Sequence, residues 1–229
     1  MKKILIATAV ALSLSAAAQA AESTAVLKVT GVLTNDACTP ELDGGGVVDF
    51  GTKYINELSA TEDNQLGYKD MTLMITCTAA TKVGWSITDN HADTMQKTKI
   101  DNATATGYQV GGSSQMFGVG KTAGNVNIGA YSVSTERSIT VDGGKKDLGC
   151  GYVNSDTWTP ATTDVFLVAK SDGSNMFSVI TSGSSDDLVP FMNAVFPLRI
   201  ALAIQKTDTL AITDNTPIDG QATITLHYL

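Results

Sequence analysis

From Leu27 to Tyr228 apolar side chains return at every second position, in runs broken by clusters of glycine, aspartate and serine. Period two is the repeat of an extended strand, whose side chains alternate between faces; a helix would bring them back every third or fourth position. The runs include Met71-x-Leu73-x-Ile75-x-Cys77, Val83-x-Trp85-x-Ile87, Ile139-x-Val141, Val165 to Val168, Met176 to Ile180, Leu198-x-Ile200-x-Leu202-x-Ile204 and Ala222-x-Ile224-x-Leu226-x-Tyr228. Between them lie Asp43-Gly44-Gly45-Gly46, Val110-Gly111-Gly112-Ser113, Asp142-Gly143-Gly144, Ser171-Asp172-Gly173 and Asp219-Gly220, which are turn signals. Strands parted by short turns fold into an antiparallel sandwich or a barrel. Only Asp93 to Lys99 and Asp186 to Asn193 are expected to make a helical turn or two. The pattern predicts one all-β domain.

The first twenty residues stand outside that pattern. Lys2 and Lys3, the apolar run Ile4 to Leu14 and the Ala18-Gln19-Ala20 cleavage signal describe a secretory signal peptide over residues 1–20. Thr8, Ser13 and Ser15 interrupt the run, which makes it a poor membrane anchor. Cleavage removes two lysines and no acid, taking the net charge from −8 to −10. So acidic a chain lacks the positive field that a phosphate backbone requires, and nucleic acid is not an expected partner.

Export gives the three cysteines a meaning, since an oxidising compartment lets a pair close. Cys38 and Cys77 each read as lying at a strand end and form the expected disulfide; in the chain-entropy model it is worth roughly 4 kcal/mol. Cys150, in Gly149-Cys150-Gly151, is left over. It reads as a thiol buried in a turn, with an intermolecular bond or a reactive role as the alternatives.

Groups for chemistry are sparse. His91 and His227 share no metal-ligand spacing with each other or with a cysteine, so no metal or cofactor is expected. Asp89 and Asp93 flank His91, but no G-x-S-x-G elbow supplies a nucleophile. Gly120-Lys121-Thr122 has the ending of a phosphate-binding loop, yet Gln115 stands where that loop needs glycine. Asp156, Asp172, Asp214 and Asp219 form no calcium loop closed by a glutamate. The chain is expected not to be an enzyme.

The last strand, Ala222, Ile224, Leu226 and Tyr228 alternating with Thr223, Thr225 and His227, has one apolar and one wet face. An outer-membrane barrel would also end in an alternating strand, but the final Leu229 is out of phase with the apolar face, and direct membrane insertion is not expected. The signal peptide, the alternating segment Ala25-x-Leu27-x-Val29-x-Gly31-x-Leu33, Cys38, a second cysteine about forty residues on and a penultimate Tyr228 together resemble a fimbrial subunit of the chaperone–usher class. Cys38-Thr39-Pro40, Val48-Asp49-Phe50-Gly51, Cys77-Thr78-Ala79, Phe117-Gly118-Val119-Gly120 and Ile128-Gly129-Ala130-Tyr131, in that order, are similar to a family of exported fimbrial-like proteins long catalogued as a domain of unknown function.

The resemblance implies an immunoglobulin-like, pilin-type β-sandwich over 34–229 that lacks its last strand, with residues 21–33 as an N-terminal donor-strand segment. Ala25, Leu27, Val29 and Leu33 would fill a neighbouring subunit's groove, and Gly31 would allow close approach. A periplasmic chaperone would cover the open edge along Ala222, Ile224, Leu226 and Tyr228 and bind the Leu229 carboxylate, before exchange at the outer-membrane usher delivers the subunit to a surface fimbrium. Its partners would be chaperone, usher and neighbouring subunits. The alternatives are a self-complete periplasmic or cell-surface sandwich that binds a ligand, and a secreted hydrolase using His91. The chain is longer than common pilins, the excess lying between Ile87 and Pro197.

Overall fold

The computed structural model describes residues 37–229, together with Lys28 and Thr30; the signal peptide and the donor residues Ala25, Leu27, Val29, Gly31 and Leu33 lie outside the described residues. All of the described alternating runs but Val165 to Val168 lie in strands, which are β1 (Cys38–Leu42), β2 (Asn64–Thr81), β3 (Val83–Asp89), β4 (Phe117–Gly118), β5 (Gly129–Thr135), β6 (Ser138–Val141), β7 (Gly144–Tyr152), β8 (Trp158–Pro160), β9 (Asn175–Ile180), β10 (Phe191–Ile204) and β11 (Ala222–Tyr228). All strand pairs are antiparallel. They belong to one compact unit, Asn35–Leu229.

β10 organises the sheet. One edge runs along β2 from end to end, while the other divides, Leu198–Ile204 pairing with β5 and Ala194–Val195 with β6. From β6 the ladder continues through β7, β9 and β3 to β11, so the strand order is β1-β2-β10-β6-β7-β9-β3-β11. The chain thus forms two facing walls, an all-β sandwich. Leu73, Ile75, Phe196 and Leu198 of one wall meet Trp85, Leu148, Phe177 and Val179 of the other in the main core. The Trp85 ring lies 4.8 Å from that of Phe177 in its own wall and 5.7 Å, edge-on, from that of Phe196 across the core, each pair worth about 1 kcal/mol beyond its area.

The long central region is a skin on this sandwich. Between β3 and β5, Ile100, Ala103, Val110 and Met116 pack on Ala130, Ala201 and Ala203, the outward side chains of β5 and β10. On the opposite wall Trp158, Met176 and Ile180 gather Val153 and Leu188 into a smaller cover.

Cys38 and Cys77 are bonded, as expected. Cys38 opens β1, but Cys77 lies inside the 18-residue β2 and not at its end, because pairing with β10 carries β2 beyond the cysteine. Val165 to Val168 is not a strand: Asp164–Leu167 forms a 3-10 turn, and Asp164 accepts from Arg137 at 2.7 Å. The helical reading of Asp93–Lys99 shrinks to a 3-10 turn at Ala92–Thr94. Asp186–Asn193 is not helical either; beyond Pro190 it enters β10.

Two glycines show different constraints. A Cβ on Gly129 would lie 2.2 Å from the Ala203 carbonyl oxygen, whereas Gly143, at φ +82°, has open space around it. Gly129→Ala is expected to cost about 3 kcal/mol by forcing β5 from β10, and Gly143→Ala about 1 kcal/mol of backbone strain. Chemical unfolding of the two variants checks the order; a greater loss at Gly143 would contradict it.

Candidate functional site

Among the described residues, the two ends of the strand order, β1 and β11, each have a partner on one side only. Between these free edges runs an apolar groove of about 450 Å³. Its first rim is the end of β1 and the segment after it. Gly44, Gly45 and Gly46 turn the chain at positive φ, and Val47–Phe50 then run extended, with no strand partner among the described residues. Alternation persists there in burial: Val48 and Phe50 are half-buried at the groove, while Val47, 76% exposed, and Asp49 are open to solvent. The second rim is Ile218–Gln221 followed by β11, whose Ala222, Ile224 and Leu226 pack on the core yet stay only half-buried. Met71, Ile87, Val133, Leu198 and Ile200 form the floor.

A second cavity of about 760 Å³ continues the groove, sharing Val48, Phe50 and Ile218 and passing between Ile55 and Leu58 on one side and Ile212 and Pro217 on the other. The opposite end is tied. The Tyr228 hydroxyl accepts from the Cys38 backbone N–H at 2.8 Å, joining β11 to the disulfide that fixes β1 on β2. Leu229 donates its N–H to the Lys82 carbonyl at 3.1 Å. The near end of β11 is held by Asn90, whose backbone and side chain donate to Gln221 and whose side chain also donates to Thr223.

Tyr131 places the one ionisable phenol in the groove wall. Burial, with the charge of Asp89 as the lesser cause, raises its pKa, so the ring stays neutral. The Asp89 carboxylate accepts from the backbone N–H groups of His91 at 2.9 Å and Gly118 at 2.8 Å, and the His91 ring meets the Asp219 carbonyl at 2.8 Å. Asp89 and His91 therefore pin the second rim instead of aligning with a serine hydroxyl. Among the described residues no three His, Cys, Asp or Glu side chains form a metal cluster.

The structure thus brings together Cys38, Cys77, Ala222, Ile224, Leu226, Tyr228 and Leu229, on or beside the free-edged region. Sequence reasoning missed Ile218 to Gln221 as a rim, since a turn dipeptide gives no hint of what it faces. It also missed the Ser86–His227 pair, 2.8 Å apart across β3 and β11, which only the strand register reveals.

The fold and site define an all-β sandwich protein with an open-edged apolar groove. Residues 27–132 match the family described as protein of unknown function (DUF1120), a span that takes in the disulfide, the first rim and Tyr131. The chain is 31% identical over 245 residues to the uncharacterized protein YhcF of Escherichia coli K12, covering 99% of this chain and 98% of that protein. It is also 31% identical over 255 residues to protein GltF of the same organism, covering 100% of this chain and 99% of that protein. The chain belongs to this family.

Cys150 lies apart from the groove. It is not in a turn: it sits within β7, 5% exposed, paired with Thr159 and Phe177 in neighbouring strands. Burial pushes its thiol up to about 11. Since the thiolate is the nucleophile, only about one molecule in a thousand is reactive at pH 8. Native protein is expected to resist iodoacetamide at pH 8 and take up one equivalent when unfolded without reductant; rapid native labelling would show that the site opens.

Proposed function

We propose that the chain is a non-enzymatic structural subunit of a surface fimbria, exported by its signal peptide and assembled by donor-strand exchange through a chaperone–usher pathway. The observation that carries this reading is the coincidence of two strand edges that have no partner among the described residues with the apolar groove between them. A strand inserted there finds backbone donors and acceptors on β11 and on the Val47–Phe50 rim, and its alternate side chains enter the groove. An apolar edge left bare would invite aggregation, which is why a periplasmic chaperone would cover it before a neighbour's residues 21–33 take its place. Ala25, Leu27, Val29 and Leu33 match such a groove in period and character, with Gly31 where the backbones come closest. Adhesion would follow from the fimbria as a whole.

Co-expression with a chaperone encoded by the same organism tests the reading. The mature chain is expected to purify as a one-to-one complex and to be aggregation-prone alone; a soluble monomer that forms no complex would support a self-complete sandwich instead. Deleting residues 21–33 should leave the chaperone complex intact and abolish donation to a second subunit. Unfolding of that deletion would mean that the segment belongs to the protein's own sheet. Ile224→Asp, which sets a charge on the groove wall, should reduce complex recovery at least about tenfold, whereas Thr225→Asp on the outer face should leave it within about twofold.

A further inference from the structure

β11 has an unusual mechanical task. It is held by a single ladder to β3, its inward side chains are only half-buried, and its other edge must remain free. What fixes its far end therefore matters. On the inner side Tyr228 is tied to Cys38. On the outer side Leu229 borders Gly84, a glycine that also seats a side chain of the central region. The Trp158 indole, 2% exposed, rests on three glycines: a Cβ on Gly84 would come 3.1 Å from its Cη2, and a Cβ on Gly151 would come 3.0 Å from its Cδ2. Gly149, the third, would bring a Cβ 3.5 Å from Cε3. None of these glycines has a positive φ, so their smallness, not their backbone freedom, makes room for the ring. The same Cβ on Gly84 would lie 3.4 Å from Leu229 Cδ1, so the leucine and the indole both border this one glycine of β3.

Trp158 is itself held firmly. Its backbone N–H donates to Asp186 Oδ1 at 2.5 Å, and the Asp186 N–H donates back to the Trp158 carbonyl at 3.1 Å. Asp186 adopts φ 60°, a left-handed conformation that this reciprocal pair maintains. We propose that Trp158 is a positioning residue for β11: it backs Leu229 from the outer face and so keeps the strand's free edge in the geometry that an incoming strand requires. The inference deepens the fimbrial reading and rests on it for the identity of the incoming strand. It gives the loops around β8 a role in strand capture although they lie on the wall's far side from the groove. The physical gain is preorganisation, since an edge strand that frays must be reordered at each binding event.

The test follows β11 directly. Amide hydrogen exchange of the mature chain, taken as its chaperone complex or, if it is soluble alone, as the free monomer, and read by mass spectrometry, is expected to accelerate about tenfold over Ala222–Tyr228 in Trp158→Ala while β2 and β10 keep their protection. The Kd for a synthetic peptide of residues 21–33 should rise about tenfold, and Trp158→Phe should recover both values to within about threefold. Should Trp158→Ala fail to fold, Gly151→Ala, whose Cβ would press on the indole at 3.0 Å, displaces the ring while retaining it and should produce the same two changes. A uniform loss of protection across all strands, or unchanged β11 exchange and peptide affinity with only a lower Tm, overturns the proposal. If wild-type protein does not bind the peptide but β11 exchange still responds locally to Trp158, the positioning role stands and the fimbrial reading falls.

Discussion

A backbone N–H or C=O at a sheet edge must be met by water or by another strand, and the architecture is arranged around two edges that face each other in this state. Over most of the sandwich the matter is settled internally, because β10 pairs on both sides and carries the ladder from one wall to the other. The short β4 and β8, each paired on one side, lie off the main strand path; among the described residues, β1 with its continuation and β11 are the half-partnered strands that border the groove. Between them the main core reaches the surface through Met71, Leu198 and Ile200, so the unmet hydrogen bonds and the unmet apolar area coincide. Either alone is ordinary; together they make an apolar groove bordered by strand edges, the space that an added strand would fill under the fimbrial reading.

The rest of the chain narrows attention to that space. The insertion between β3 and β5 seals the outer face of β5 and β10, and Trp158 with Met176 and Ile180 seals the outer face of the other wall. Both covers work by matching bulk against smallness: Ile100 and Met116 against alanines, Trp158 against glycines. The added length of the chain is therefore sandwich lining, not a second domain, and it leaves the groove as the open apolar face between the walls.

Much of this was legible because period two directly reports burial. Leu73, Ile75 and Cys77 are buried and Met74 is exposed, as their alternation requires, and β11 carries the expected half-wet pattern. The misreadings have a common physical cause: local signals with two meanings. Gly149-Cys150-Gly151 looks like a turn, but its glycines serve the close approach of Trp158, a residue seven positions beyond Gly151 whose placement no local pattern encodes. Val165 to Val168 has strand-like composition, yet the Arg137–Asp164 ion pair accompanies a 3-10 turn there. The first rim was visible as a motif, Val48-Asp49-Phe50-Gly51, while the space it faces depends on contacts with residues more than 160 positions away.

The ties at the two ends of the groove are unequal, and this bears on how a strand would enter. At the Tyr228 end the hydroxyl bond to Cys38 and the Cys38–Cys77 disulfide connect β11, β1 and β2 in series, so separating the rims there would require breaking a hydrogen bond against a covalently anchored strand. Toward Ile218 and Phe50 no disulfide joins the rims, and the groove widens into the second cavity between the 48–58 and 212–218 segments. Under the fimbrial reading, the first contacts of an incoming strand belong at that wider end, with pairing advancing along β11 toward Tyr228. Each step then replaces solvated edge groups and exposed apolar surface by a ladder and a filled groove, and only the last step meets the tied end.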